Sequence, residues 1–160
     1  MSEAVAPPAP IAGREVNCSA IKLDVNYVRE HLGDIAPILA GLPHDDEYLL
    51  DDANWIDYQS LLRIYGNIRR LFPDQPDVMR DIGRSVLHND RSYAVIRMIS
   101  VLIWSPMLIY DRVPSFLPQT FSFIRGKVVE KGRDYAVIEY VFSDGYEPSR
   151  DLLDHVVGLL

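Results

Sequence analysis

A chain of 160 residues, 48% hydrophobic and 24% charged, has the composition of one globular domain with a real core rather than of a disordered polypeptide. Its formal net charge of −7 argues against a nucleic-acid or anionic-membrane partner, because phosphates select clustered Lys and Arg. The single cysteine, Cys18, excludes an internal disulfide and a cysteine zinc cluster and fits a cytoplasmic location; no basic segment leads into an apolar run as a secretory signal would.

Residues 1–16 are small, proline-rich and without periodicity, so they are expected to form a flexible leader before a single domain over 17–160. "VNCSAIKLD" has the residues of a short β segment. Asp24 can cap a helix over Val25–Leu32 that stops at Gly33, and Asp34 a short helix ending near Gly41 with Pro37 in its first turn. "LPHDDEYLLDDAN" follows as an acidic connection.

The clearest helix begins after Asp57. Tyr58, Leu61, Leu62, Tyr65, Ile68 and Phe72 recur at helical spacing, while Gln59, Arg63, Asn67 and Arg70 take the other face. Ile56 and Leu61 have the spacing of a hydrophobic staple across the cap. Trp55, just outside this helix, is expected to bury most of its ring against the Tyr58/Leu62 side and against the 93–104 segment, anchoring the acidic connection and covering the core or a cavity in it.

"PDQPD" then separates this helix from another over Asp77–His88, with Val78, Ile82 and Val86 on one side. Within it, Gly83 reads as a site of close helix packing rather than of anion binding. A third long helix, about Arg91–Trp104, is apolar almost all round and therefore central or shared with a partner chain; Val95, Met98, Ile99 and Leu102 are its interface candidates. Arg97 and Ser105-Pro106 keep its apolar run too short for a membrane span. "TFSFIRGKVVE" and "YAVIEYVFS", joined by "KGRD", predict an antiparallel hairpin at about 120–142. "DGYEPS" turns into a last helix that runs to Gly158-Leu159-Leu160, an apolar ending that suggests a piece of a longer polypeptide. The expected fold is α+β, a helical bundle packed against that small antiparallel sheet.

No residue pattern announces catalysis. The chain has no HExxH, GxSxG, Walker A or GxGxxG motif, and Cys18 has no evident base. Of the histidines His31, His44, His88 and His155, His88 near a helix C-terminus and His155 one turn from Asp151 read as surface or capping residues, with a haem or metal ligand as the alternative; Asp45-Asp46-Glu47 with Asp51-Asp52 read as a solvated loop without the oxygen-ligand order of a calcium site. No metal ligand set is therefore expected. The aromatic residues remain, and Trp55, Tyr58, Tyr65, Trp104, Tyr110, Phe121 and Phe123 are candidates to line an apolar pocket, with core filling as the alternative.

The order of these elements, with Trp55, Ile82-Gly83, Ser105-Pro106 and "FSFIRGKVVEKGRDYAVIEYVF", resembles the 4-vinyl reductase-like and haem-NO-binding-like sensory domains, related in fold to trafficking-complex subunits. The similarity covers about Asp24 to Leu160 and is to versions at the N-terminus of bacterial signalling proteins. The cysteine-containing C-terminal region of the vinyl-reductase-like domains is missing. Haem is not carried over, because "YQSLLR", Tyr58 to Arg63, lacks the Tyr-x-Ser-x-Arg spacing of the haem-binding relatives. The cofactor stays unknown. The resemblance implies an α+β sensor module, often a homodimer, that feeds an output domain of cyclase, kinase or diguanylate cyclase type, and it does not reveal the ligand. With the aromatic residues, the apolar ending and the missing catalytic motif, the expectation is a non-enzymatic cytoplasmic input domain that binds a small apolar ligand or dimerises to control its own C-terminal output domain. The alternative is a ligand-free assembly or adaptor domain whose 91–104 helix is only a dimer interface.

Overall fold

The computed structural model describes residues 13–89, 117–133 and 135–158. The elements in order are β1 (Val16–Asn17), α1 (Cys18–Leu32), α2 (Asp46–Leu50), β2 (Trp55–Ile56), α3 (Tyr58–Leu71), α4 (Val78–Asn89), β3 (Ile124–Lys131), β4 (Ala136–Phe142) and α5 (Arg150–Gly158). The fold is α+β: helices with two small antiparallel sheets, β1–β2 and β3–β4, among the described residues. The expected 91–104 helix, with Val95, Met98, Ile99 and Leu102, lies outside them.

The start of the domain differs from the sequence expectation. Only Val16 and Asn17 are extended, and α1 begins at Cys18. Asn17 is the cap: its side-chain oxygen accepts the Ser19 N–H at 3.0 Å, meeting a donor that the first turn leaves unpaired. Asp24 is therefore not a cap but a mid-helix residue on the buried stripe of Ile21, Val25 and Val28. Gly33 ends the helix as expected, in the left-handed conformation at φ 75°.

Glu15 and Val16 belong to the fold, not to a leader. Val16 pairs with Ile56, forms a bridge with Phe121 and is completely buried, while the Glu15 carboxylate accepts the Tyr58 N–H at 2.6 Å.

Residues 34–42 form successive turns instead of a helix, with bonds from Ile38 N–H to the Ile35 carbonyl and from Leu39 N–H to that of Ala36. Asn67, expected on the polar face of α3, is buried and donates to the carbonyls of Ile38 and Ala40 at 2.9 and 3.0 Å. Asn67 thus satisfies carbonyls that a continuous helix would have paired internally. The acidic connection also has structure of its own. Asp45 caps α2 through the Tyr48 N–H, and the Tyr48 hydroxyl donates to the Trp55 carbonyl at 2.9 Å.

Asp57 caps α3 as expected, accepting from the Ser60 N–H. Tyr58, Leu61, Tyr65, Ile68 and Phe72 are buried, joined by Ile64, while Leu62 is only partly so. The hairpin pairs Ile124 with Phe142 and Lys131 with Ala136, with a bulge between Val128 and Glu130. Among the described residues, its base packs on the helices: Phe123 and Ile124 are buried, whereas Val129, Val137 and Val141 are exposed.

Candidate functional site

The site is built where α5 seats against the rest of the domain. Gly83 on α4 and Gly158 on α5 have no side chains to hold the helices apart, and a Cβ on Gly83 would strike the His155 carbonyl oxygen. The expectation of close packing at Gly83 thus gains a partner. This approach drives the inward face of α5, Leu152, His155 and Val156, into the core.

His155 is 1% exposed, so it is neither a surface nor a capping histidine. Its Nδ1 lies 3.4 Å from Oδ1 of Asp24 on α1 and 3.4 Å from the Tyr65 hydroxyl on α3. Asp24 is fully buried and Tyr65 1% exposed. Three helices therefore bring three polar side chains to one nitrogen. Neither Asp24 oxygen has a hydrogen bond of good geometry among the described residues, nor does His155 Nε2. Burial holds the Asp24 carboxyl above its ordinary range, an effect the neighbouring imidazole only partly offsets. Burial, then the Asp24 charge, keeps the Tyr65 phenol well above its usual value. The chemistry available here is movement of a proton between a carboxyl and an imidazole that water does not reach.

Around this buried group runs a half-exposed ring of ion pairs. Arg69 of α3 reaches Asp151 at 2.6 Å and Asp154 at 3.8 Å, and Arg80 of α4 reaches Asp154 at 2.8 Å. Polar contacts thus tie α5 to α1, α3 and α4 alike.

The pocket candidates divide. Tyr58, Phe121 and Phe123 come together with Tyr146: the Phe123 and Tyr146 rings stack at 4.6 Å, Tyr58 lies 4.8 Å from Phe123, and Phe121 meets Phe123 edge-on at 6.3 Å. They are packed ring on ring in the core. Tyr65 stands apart with His155. Trp55 is half-buried in β2, and its neighbour Ile56, 1% exposed, is the residue that enters the core. Strand alternation forces that choice, since adjacent side chains point to opposite faces. Trp104 and Tyr110 lie outside the described residues.

An open depression is instead found on α2, lined by Asp45, Glu47, Tyr48, Leu50, Asp51 and Asn54. No group of three or more His, Cys, Asp or Glu is placed to hold a metal among the described residues, and no helix among them is long and apolar enough to cross a membrane.

The sequence reading missed Asp24 and the burial of His155. A signal existed for both: Asp24 falls at helical spacing between Ile21 and Val28, and His155 between Leu152 and Val156. Comparison with protein-family models, with curated proteins and with solved structures gave no match for this chain.

Proposed function

We propose that the chain is a non-enzymatic sensory or regulatory input domain of a bacterial signalling protein, in which an apolar ligand or dimerisation repositions α5 and so controls a C-terminal output domain. One observation carries the reading. The Tyr58 hydroxyl, in the aromatic group at the base of the hairpin, donates at 2.6 Å to the carbonyl of Glu147, in the segment that leads into α5. A ligand that parted Tyr58, Phe123 and Tyr146 would pull on that segment directly. Such a ligand shifts the equilibrium of α5 by its differential affinity for the seated and displaced arrangements.

The test is native mass spectrometry and size exclusion of the expressed chain, followed by hydrogen exchange in α5 with and without any co-purified or added apolar ligand. Ligand or dimer formation that changes α5 protection supports the proposal. A monomer that binds none of the apolar ligands offered defeats it. The adaptor reading draws on the exposed Val129, Val137 and Val141 of the hairpin, and predicts association without any change in α5.

A further inference from the structure

We propose that Asp24, Tyr65 and His155 form a proton-operated latch that seats α5 against α1 and α3 and releases it as pH rises. The latch goes beyond the sensory reading and stands whether or not an output domain follows.

Its geometry contains a conflict. Nδ1 of His155 has two partners at 3.4 Å and one position to offer. As an N–H it donates to the Asp24 carboxylate; as a lone pair it accepts from the Tyr65 hydroxyl or from a protonated Asp24. While Asp24 and His155 hold one proton between them, the pair is neutral overall, whichever group carries it. Loss of that proton leaves a carboxylate in an apolar core, with neither oxygen well hydrogen-bonded. Among the described residues no other donor meets those oxygens, and lifting α5 brings water to them.

Among the described residues, no charge other than His155 acts on Asp24 to compensate. From α5, Asp151 adds negative potential and is tied to Arg69. From α3, Tyr65 and Tyr58 are neutral phenols held above their ordinary range. From α4, Asp81 acts on Tyr27 of α1.

The direction follows from linkage. Asp24 titrates above its ordinary value of 3.8 in the folded chain. Its contribution is complete below that value and is lost as pH rises through the higher folded value. Where the folded pair holds one proton more than the open form, the opening constant of α5 rises on the order of tenfold per pH unit.

The experiment is amide hydrogen exchange of residues 150–158 in the full chain, from pH 5 to 9, corrected for the intrinsic rate. In the parent the opening constant should climb toward tenfold per pH unit above about pH 6.5, where an open, solvated imidazole no longer holds the proton that the folded pair keeps. In Asp24→Asn, which keeps the shape and cannot ionise, the climb should vanish. Parallel slopes in parent and variant overturn the latch, and so does a flat profile in the parent. Should Asp24→Asn fail to fold, carbon-13 NMR of the parent decides: the Asp24 carboxyl and the His155 ring must report one shared titration at the pH where the climb in the opening constant levels off, and a separation of the two by a full unit rejects the proposal.

Discussion

Gly83 and Gly158 face each other across the α4–α5 crossing so closely that a Cβ built on Gly83 would lie 2.9 Å from the Gly158 Cα. The atoms in the way are backbone, which cannot rotate aside. Gly83→Ala should therefore cost about 1–3 kcal/mol, toward the upper end, and loosen α5 before the rest of the fold. Gly66, in the middle of α3 with open space at its Cβ position, supplies the contrast. There alanine should be neutral or stabilise by up to about 1 kcal/mol, through helix propensity alone. Urea unfolding of the two variants should move in opposite directions.

Asp57 makes the acid side of the stability profile specific. Burial alone would raise its carboxyl, but the Ser60 N–H and hydroxyl and further backbone N–H groups outweigh that and hold it below the ordinary value. A carboxyl lowered in the folded state stabilises fully above its ordinary range near 3.8, and that contribution is lost as pH falls through the folded value. Asp57→Ala should cost about 1 kcal/mol at pH 7, the usual value of a cap. Asp57→Asn should keep most of the cap and flatten this part of the acid limb. Urea midpoints at pH 6 and pH 2.5 would separate the two effects.

The pair Trp55–Ile56 gives a comparison of size against position. Ile56→Ala empties a site that is 1% exposed and should cost about 2–5 kcal/mol. Trp55→Ala removes a larger ring from a half-buried strand position, and should cost less than the Ile56 variant. Thermal unfolding of both gives the order directly; the reverse order would show that Trp55 covers more of the core than β2 places beneath it.

Cys18 is the last case. It is completely buried at the start of α1, and its thiol is pushed up to about 11, by burial first and then by Asp51 and Asp52. The thiolate is the reactive form, so the native protein at pH 8 should resist iodoacetamide. Labelling should become fast once denaturant unfolds the chain. Rapid labelling of native protein would mean that the β1–α1 junction opens locally.

What was legible in the sequence depended on how local the determinant was. Asp57, Gly33 and the hairpin announce themselves through neighbours a few residues away, and all three stand where expected. The cap of Cys18–Leu32, Asn17, lies in a run that also reads as a strand, and Asp24 has the residue type of a cap although it is a core residue. The turns at 34–42 are held by Asn67, a side chain on α3 that no local window contains. The same holds for the site. Gly83 was readable as a packing glycine on its own, but Asp24, Tyr65 and His155 are joined only by tertiary structure, at separations that leave no spacing to detect. The aromatic residues showed their type and not their arrangement, which depends on Tyr146 stacking on Phe123.

The clasp at Glu15 and Val16 sets a waiting time on the ribosome. Val16 bridges to Phe121 and the Glu15 carbonyl accepts the Ser122 N–H, partners made more than a hundred residues later. At roughly 5–20 residues per second, β1 emerges about 5–20 s before that side of it can be covered. During that interval β2 and the cap of α3 are its available partners, through Ile56 and Tyr58. The short β1–β2 pairing therefore doubles as a guard for a buried valine in the nascent chain, and variants that weaken it should aggregate more during synthesis than their equilibrium stability implies.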